Sequence, residues 1–251
     1  MSHFTVGVII ESNENVEHQV QKRLLPFCEN YEVEPYCKLS VEELKEELEG
    51  IVNYEGEEKW DLELKEKYKD ASLEFFCENY YGGTYDENQG LMTTYNEDGK
   101  WDWYVIGGRW SGCLPIKGKE ASNEDHDQYQ DNIEDNICKI KDLELVKTPS
   151  EEEMKKMKEK YEELTTKGDF FKPEYYLRKF PTFEDYVKDV TSFSTYALLT
   201  SENEWIEPGQ MGWFGCSSAT PEEEANFTDV FAEHLKKENP EHYFVLVDCH
   251  V

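Results

Sequence analysis

Tyr243-Phe-Val-Leu-Val-Asp248 is an apolar run closed by a carboxylate, and the other end of the chain carries its counterpart, Phe4-Thr-Val-Gly-Val-Ile-Ile10. Runs this short and this rich in β-branched and aromatic residues read as strands, and their near-continuous apolarity reads as burial. Between them lie helical patterns and long connections, with no regular alternation of strand and helix and no internal repeat. Strands at both ends of such a chain predict an α+β fold: a mainly antiparallel sheet containing both chain termini, flanked by helices and acidic insertions. The 251 residues are read as one domain, with helical or acidic insertions around 40–80 and 118–170.

Local signals fill in the interior. Ser40 with Glu43 forms a capping-box pattern that opens a helix, with Gly50 as its expected stop. Trp60, Leu64 and Tyr68 recur at helical spacing. Ser150 opens a helix through Met154 to Leu164, Thr182 a shorter one, and Thr220-Pro221 another that ends at Asn239-Pro240. Met92 to Tyr95, a turn at Asn96-Glu-Asp-Gly99 and Trp101 to Ile106 read as a strand pair. Thr195 to Thr200 reads as a strand that turns at Ser201–Glu204 into a second one at Trp205.

Composition excludes several classes. The formal net charge is −30, from 56 acids and 26 bases, so phosphate backbones are repelled over most of the surface and direct nucleic-acid binding is not expected. Such a chain can instead imitate nucleic acid and occupy a basic partner. Seven cysteines are scattered without a Cys-x-x-Cys pair, which argues against a disulfide framework and a structural zinc site. No signal-type segment is present and no apolar stretch nears the ~20 residues of a membrane span. A cytoplasmic protein without membrane contact is expected, its oligomeric state open and a homo-oligomer included.

The densest cluster of functional residue types is Trp101-Asp-Trp-Tyr-Val-Ile-Gly-Gly-Arg-Trp-Ser-Gly112. Strand alternation sets Trp101, Trp103 and Val105 on one face, with Asp102, Tyr104 and Ile106 on the other. Gly107 and Gly108 let the backbone turn or approach a ligand closely. Arg109 is one of only three arginines, and its planar fork of donors suits phosphate or carboxylate. With Trp101, Trp103, Tyr104 and Trp110 offering faces on which a base can stack, the stretch suits a nucleotide-like ligand bearing phosphate. It equally suits a core strand whose Arg pairs with a local acid. It is not a phosphate-binding loop, because Gly-x-x-x-x-Gly-Lys and Gly-x-Gly-x-x-Gly are both missing.

A second cluster, Glu207-Pro-Gly-Gln-Met-Gly-Trp-Phe-Gly215, reads as a compact loop whose Met211 and Trp213 either close over a pocket or pin the loop to the core. In the closing Asp248-Cys-His-Val251, alternation puts Asp248 and His250 on one face and Cys249 on the other, so Cys249 and His250 are no nucleophile–base pair. His3, Asp248 and His250 become a candidate catalytic or metal set only if the first and last strands are neighbours. No spacing motif for a metal, a cofactor or catalysis occurs. Asp127, Asp131 and Asp135 fall at helical spacing and read as a solvated face, within the acid-only run from Glu120 to Asp135.

Taken together, the opening Met-Ser-His-Phe-Thr-Val, the Lys100-Trp-Asp-Trp-Tyr104 and Gly107-Gly-Arg-Trp110 core, the Gly209-Gln-Met-Gly-Trp-Phe-Gly215 loop and the Val247-Asp-Cys-His250 end resemble a family of mostly bacteriophage-encoded proteins. The matches cover about a fifth of the chain, and the family is largely of unestablished function. The resemblance implies a phage accessory, counter-defence role in the host cytoplasm. Three expectations follow. The first is a sponge that binds and sequesters a nucleotide-derived immune signal. The second is an acidic decoy or DNA mimic that binds a host defence protein. The third is a hydrolase of a nucleotide signal working through His3, Asp248 and His250.

Overall fold

The computed structural model describes residues 2–56, 58–119, 127–212 and 215–251. The chain divides into two compact units, one made of Met1–Cys28 with Asp98–Val251 and the other of Glu29–Glu97.

In the first unit the elements run β1 (His3–Ile10), α1 (Val16–Leu24), β5 (Trp103–Ile106), a 3₁₀ turn (Gly108–Trp110), β6 (Ile137–Lys139), α5 (Glu151–Thr166), α6 (Pro173–Lys179), α7 (Phe183–Thr191), β7 (Ala197–Leu199), β8 (Trp205–Ile206), α8 (Pro221–Lys237) and β9 (Tyr243–His250). In the second unit they run β2 (Tyr36–Leu39), α2 (Val41–Asn53), α3 (Lys59–Tyr68), α4 (Leu73–Phe76) continued by a π turn (Cys77–Tyr81), β3 (Thr84–Asp86) and β4 (Gly90–Thr93). Among the described residues no helix is long and apolar enough to cross a membrane.

The fold is α+β, and the mainly antiparallel sheet contains both terminal strands. Its order is β5-β9-β1-β7-β8, with β6 also on β9. β1 and β9 pair antiparallel along their whole length, from His3 opposite His250 to Ile10 opposite Tyr243. β7 alone runs parallel to β1, and β7 and β8 form the expected hairpin. The central strands are apolar because both sheet faces are covered. Phe4, Val6, Val8 and Ile10 meet Val16, Val20 and Leu24 of α1 on one face. Ile9, Phe244 and Leu246 meet Phe227, Phe231 and Leu235 of α8 on the other. Gly7 is required between them: a Cβ there would lie 2.3 Å from the Phe244 ring.

The expected capping box forms at Ser40, and the helix starts expected at Ser150, Thr182 and Thr220 are capping boxes as well. Leu164 of α5, Tyr176 of α6 and Tyr186 of α7 build a satellite core with Phe180. The second unit has its own antiparallel sheet, ordered β2-β4-β3, and its own core of Leu44, Tyr68, Phe76, Cys77 and Leu91.

Three expectations are corrected. Gly50 does not stop α2, which continues to Asn53 because Ile51 still packs inward. The strands on either side of Asn96–Gly99 do not pair: β4 joins β2 and β3, whereas β5 joins β9. Asp127, Asp131 and Asp135 lie on no helix; Asp131 instead accepts the Ile106 backbone N–H at 2.7 Å. The first part of the acidic run, 120–126, lies outside the described residues.

Candidate active site

The β1–β9 register decides the site. It sets His3 directly opposite His250 and brings Trp103 of β5 opposite His250 on the other side. All three side chains share the α8-side face of the sheet, beyond Ile9, Phe244 and Leu246, which cluster with the α8 residues.

Each imidazole is held through Nδ1 by a carboxylate. His3 Nδ1 lies 2.8 Å from Asp248 Oδ1, and the Asp248 side chain is fully buried. The second carboxylate oxygen of Asp248 accepts the Arg109 backbone N–H at 3.0 Å. Both oxygens are thus satisfied, which is what allows a charged group to remain at 0% exposure. His250 Nδ1 lies 2.6 Å from Asp102 Oδ1, and Asp102 stays about one-third exposed, at 34%. A carboxylate on Nδ1 keeps the proton on that nitrogen and directs the other nitrogen outward as base or acid. The Nε2 of His250 is buried and, among the described residues, has no hydrogen-bond partner.

Aromatic contacts fix the two rings. The imidazole centroids are 5.0 Å apart, edge to face. Trp103 stacks on His250 at 4.9 Å and meets His3 edge-on at 5.1 Å. Tyr129, two-thirds exposed at 66%, leans over Trp103 with centroids 6.4 Å apart.

The Gly-Gly-Arg-Trp turn closes the site from one side. Gly107 and Gly108 both have positive φ, at 79° and 51°. A Cβ on Gly108 would come within 2.5 Å of the Asp248 side chain, so only glycine lets this turn cover the carboxylate. Fully buried Asn136 holds the turn in place: its Oδ1 accepts the Gly112 N–H at 3.2 Å and its amide donates to Ser111 Oγ at 3.0 Å.

The other predicted ligand residues divide sharply. Arg109 is exposed, and among the described residues its guanidinium meets no partner. The other two arginines are engaged: Arg23 donates to the carbonyls of Thr200 and Ser201, and Arg178 makes a forked pair with Glu222. Trp101 departs from expectation. It precedes the strand, is buried in the α1-side core, and donates its indole N–H to the Leu24 carbonyl at 3.1 Å. Tyr104 packs against it at 5.2 Å on that same face, away from Trp103. Burial, then the Asp131 charge, push the Tyr104 phenol up to about 12. Trp110 packs on the α8-side core and Met211 on the α1-side core. Trp213 lies outside the described residues.

Asp102, Tyr129 and Asn136 join the site without having been singled out in the sequence. Among the described residues no group of three or more His, Cys, Asp or Glu is arranged to hold a metal ion. The chain matches no known protein family, no curated protein and no solved structure.

Proposed function

We propose that the chain hydrolyses a phosphate ester of a nucleotide-type signal by histidine acid–base chemistry. The observation that carries this reading is the buried, unpartnered Nε2 of His250 beside a second imidazole, each ring anchored at Nδ1 by its own carboxylate. A structural histidine at a sheet end ordinarily finds partners for both nitrogens. Here one nitrogen is left without a partner among the described residues.

In this reading His250 Nε2 takes a proton from water as its oxygen attacks phosphorus, and His3 donates a proton to the departing oxygen. Asp102 and Asp248 hold the rings and stabilise the imidazolium formed on either one. The exposed guanidinium of Arg109 meets phosphate oxygens. Trp103 and Tyr129 offer faces to a base. The resemblance to phage-encoded proteins is in keeping with an immune nucleotide as substrate.

Sequestration without turnover is the second reading, favoured by Arg109 at the same turn, whose guanidinium meets no partner among the described residues. Incubation with cyclic dinucleotides, cyclic ADP-ribose isomers and linear nucleotides, followed by heat denaturation and mass spectrometry, separates the two. The hydrolase returns products, and His250→Gln lowers turnover roughly 10²–10⁴-fold. Intact recovery of a nucleotide that raises the melting temperature assigns the site to a sponge. With neither products nor a thermal shift, both readings fail.

A further inference from the structure

The second unit carries a groove of about 580 Å³ between α2 and α3. One wall is the face of α2 that bears Glu43, Glu46, Glu47 and Gly50; the other is α3 with Trp60 and Asp61. Leu39, Ile51 and Leu64 contribute apolar floor. Among the described residues four carboxylates line the groove, and no Lys, Arg or His does. Its three large aromatics remain open to solvent: Tyr54 is 61% exposed, Trp60 60% and Tyr80 44%. Exposed Trp and Tyr around a concave apolar surface are the residue types that anchor protein interfaces.

Gly50 supplies a separate observation. It lies inside α2, where glycine costs about 0.5–1 kcal/mol relative to alanine. No neighbouring atom requires it, because a Cβ there would meet nothing within 4 Å. Its missing side chain leaves a notch in the groove wall.

We propose that this groove docks a cationic amphipathic helix of a partner protein. An apolar side chain of that helix fills the notch at Gly50, and flanking Lys or Arg side chains reach Glu43, Glu46, Glu47 and Asp61. Cations over the faces of Trp60 and Tyr54 add to the attraction. Charge selects this occupant over a second copy, since two chains of net charge −30 repel. The groove belongs to a different unit from the histidine site, so the two readings stand or fall separately.

The test uses the full chain labelled with 5-fluorotryptophan. Trp60 is the only tryptophan between Glu29 and Glu97, and Trp60→Phe assigns its fluorine resonance. The probe is a synthetic helix with leucines on one face and lysines on the rest; an oligolysine of equal charge and hexylammonium are the controls. The Leu/Lys helix is expected to move the Trp60 resonance saturably. Gly50→Leu, which fills the notch and raises helix propensity, should weaken that binding at least ~10-fold with the circular dichroism spectrum unchanged. Three results would overturn the proposal. One is binding indifferent to Gly50→Leu, and another is oligolysine or hexylammonium binding as tightly as the helix. The third is a Trp60 shift that follows the concentration of the chain alone, the mark of self-association.

Discussion

The two halves of the β1–β9 ladder share one sheet face and differ entirely in what they bury. Toward Tyr243, Ile9, Phe244 and Leu246 are sealed under Phe227, Phe231 and Leu235 of α8. Toward His250, the same face carries His3, Asp248 and His250 under a glycine turn and an indole. Apolar burial would stabilise both halves at little cost. A buried carboxylate and an imidazole with an orphan nitrogen offset part of that gain. In the proposed reading, the second half is the part of the molecule where stability gives way to chemistry.

The comparison breaks most visibly if the apolar half is not the stabilising one. Phe231 is fully buried and meets Phe193, Phe227 and Phe244 at ring distances of 6.0, 6.3 and 6.1 Å. Phe231→Ala should lower unfolding free energy by about 3–5 kcal/mol in urea denaturation. Its turnover per folded molecule should stay unchanged.

Gly108→Ala probes the polar half through its cover. Both the positive φ of 51° and the 2.5 Å approach to Asp248 resist a methyl group. A loss of about 1–3 kcal/mol is expected, together with a fall in activity, because the turn must lift from Asp248. Equal activity at unchanged stability would show that the turn is not the cover described.

The smallest effect concerns the reverse side of the same strand end. Cys249 is completely buried, and burial, with the charges of Asp248 and Asp102, pushes its thiol well up. The raised value favours the neutral thiol, and only the thiolate reacts, so iodoacetamide should leave Cys249 unmodified even at about pH 9. Exposed Cys37, Cys113 and Cys216 should label under the same conditions by peptide mass spectrometry. Rapid labelling of Cys249 would mean that the polar end opens through its back face.

The sequence revealed elements better than partners. The terminal strands, the capped helices and the β7–β8 hairpin were legible because caps, turns and alternation are local signals. The helix α1 was not, since Val16, Val20 and Leu24 are diluted by polar residues and Asn15 enters in a left-handed conformation with no side-chain cap. The Asn96–Gly99 turn carries the signal of a hairpin, but a turn signal does not say which sheets its flanking strands join. Alternation correctly placed Asp248 with His250, but only the β1–β9 register adds His3. Asp102 stayed hidden because it lies just before β5, where alternation does not yet hold. Trp101 misled for the same reason.

Stability and turnover measured together on His250→Leu test the central claim most directly. The substitution removes the orphan Nε2, keeps apolar bulk under Trp103, and leaves Asp102 exposed enough to recover water. The expected result is an unfolding free energy equal to or above that of the parent chain, with nucleotide turnover abolished. A stability loss approaching that of Phe231→Ala, with turnover per folded molecule preserved, would make His250 a structural residue and remove the basis for an acid–base centre.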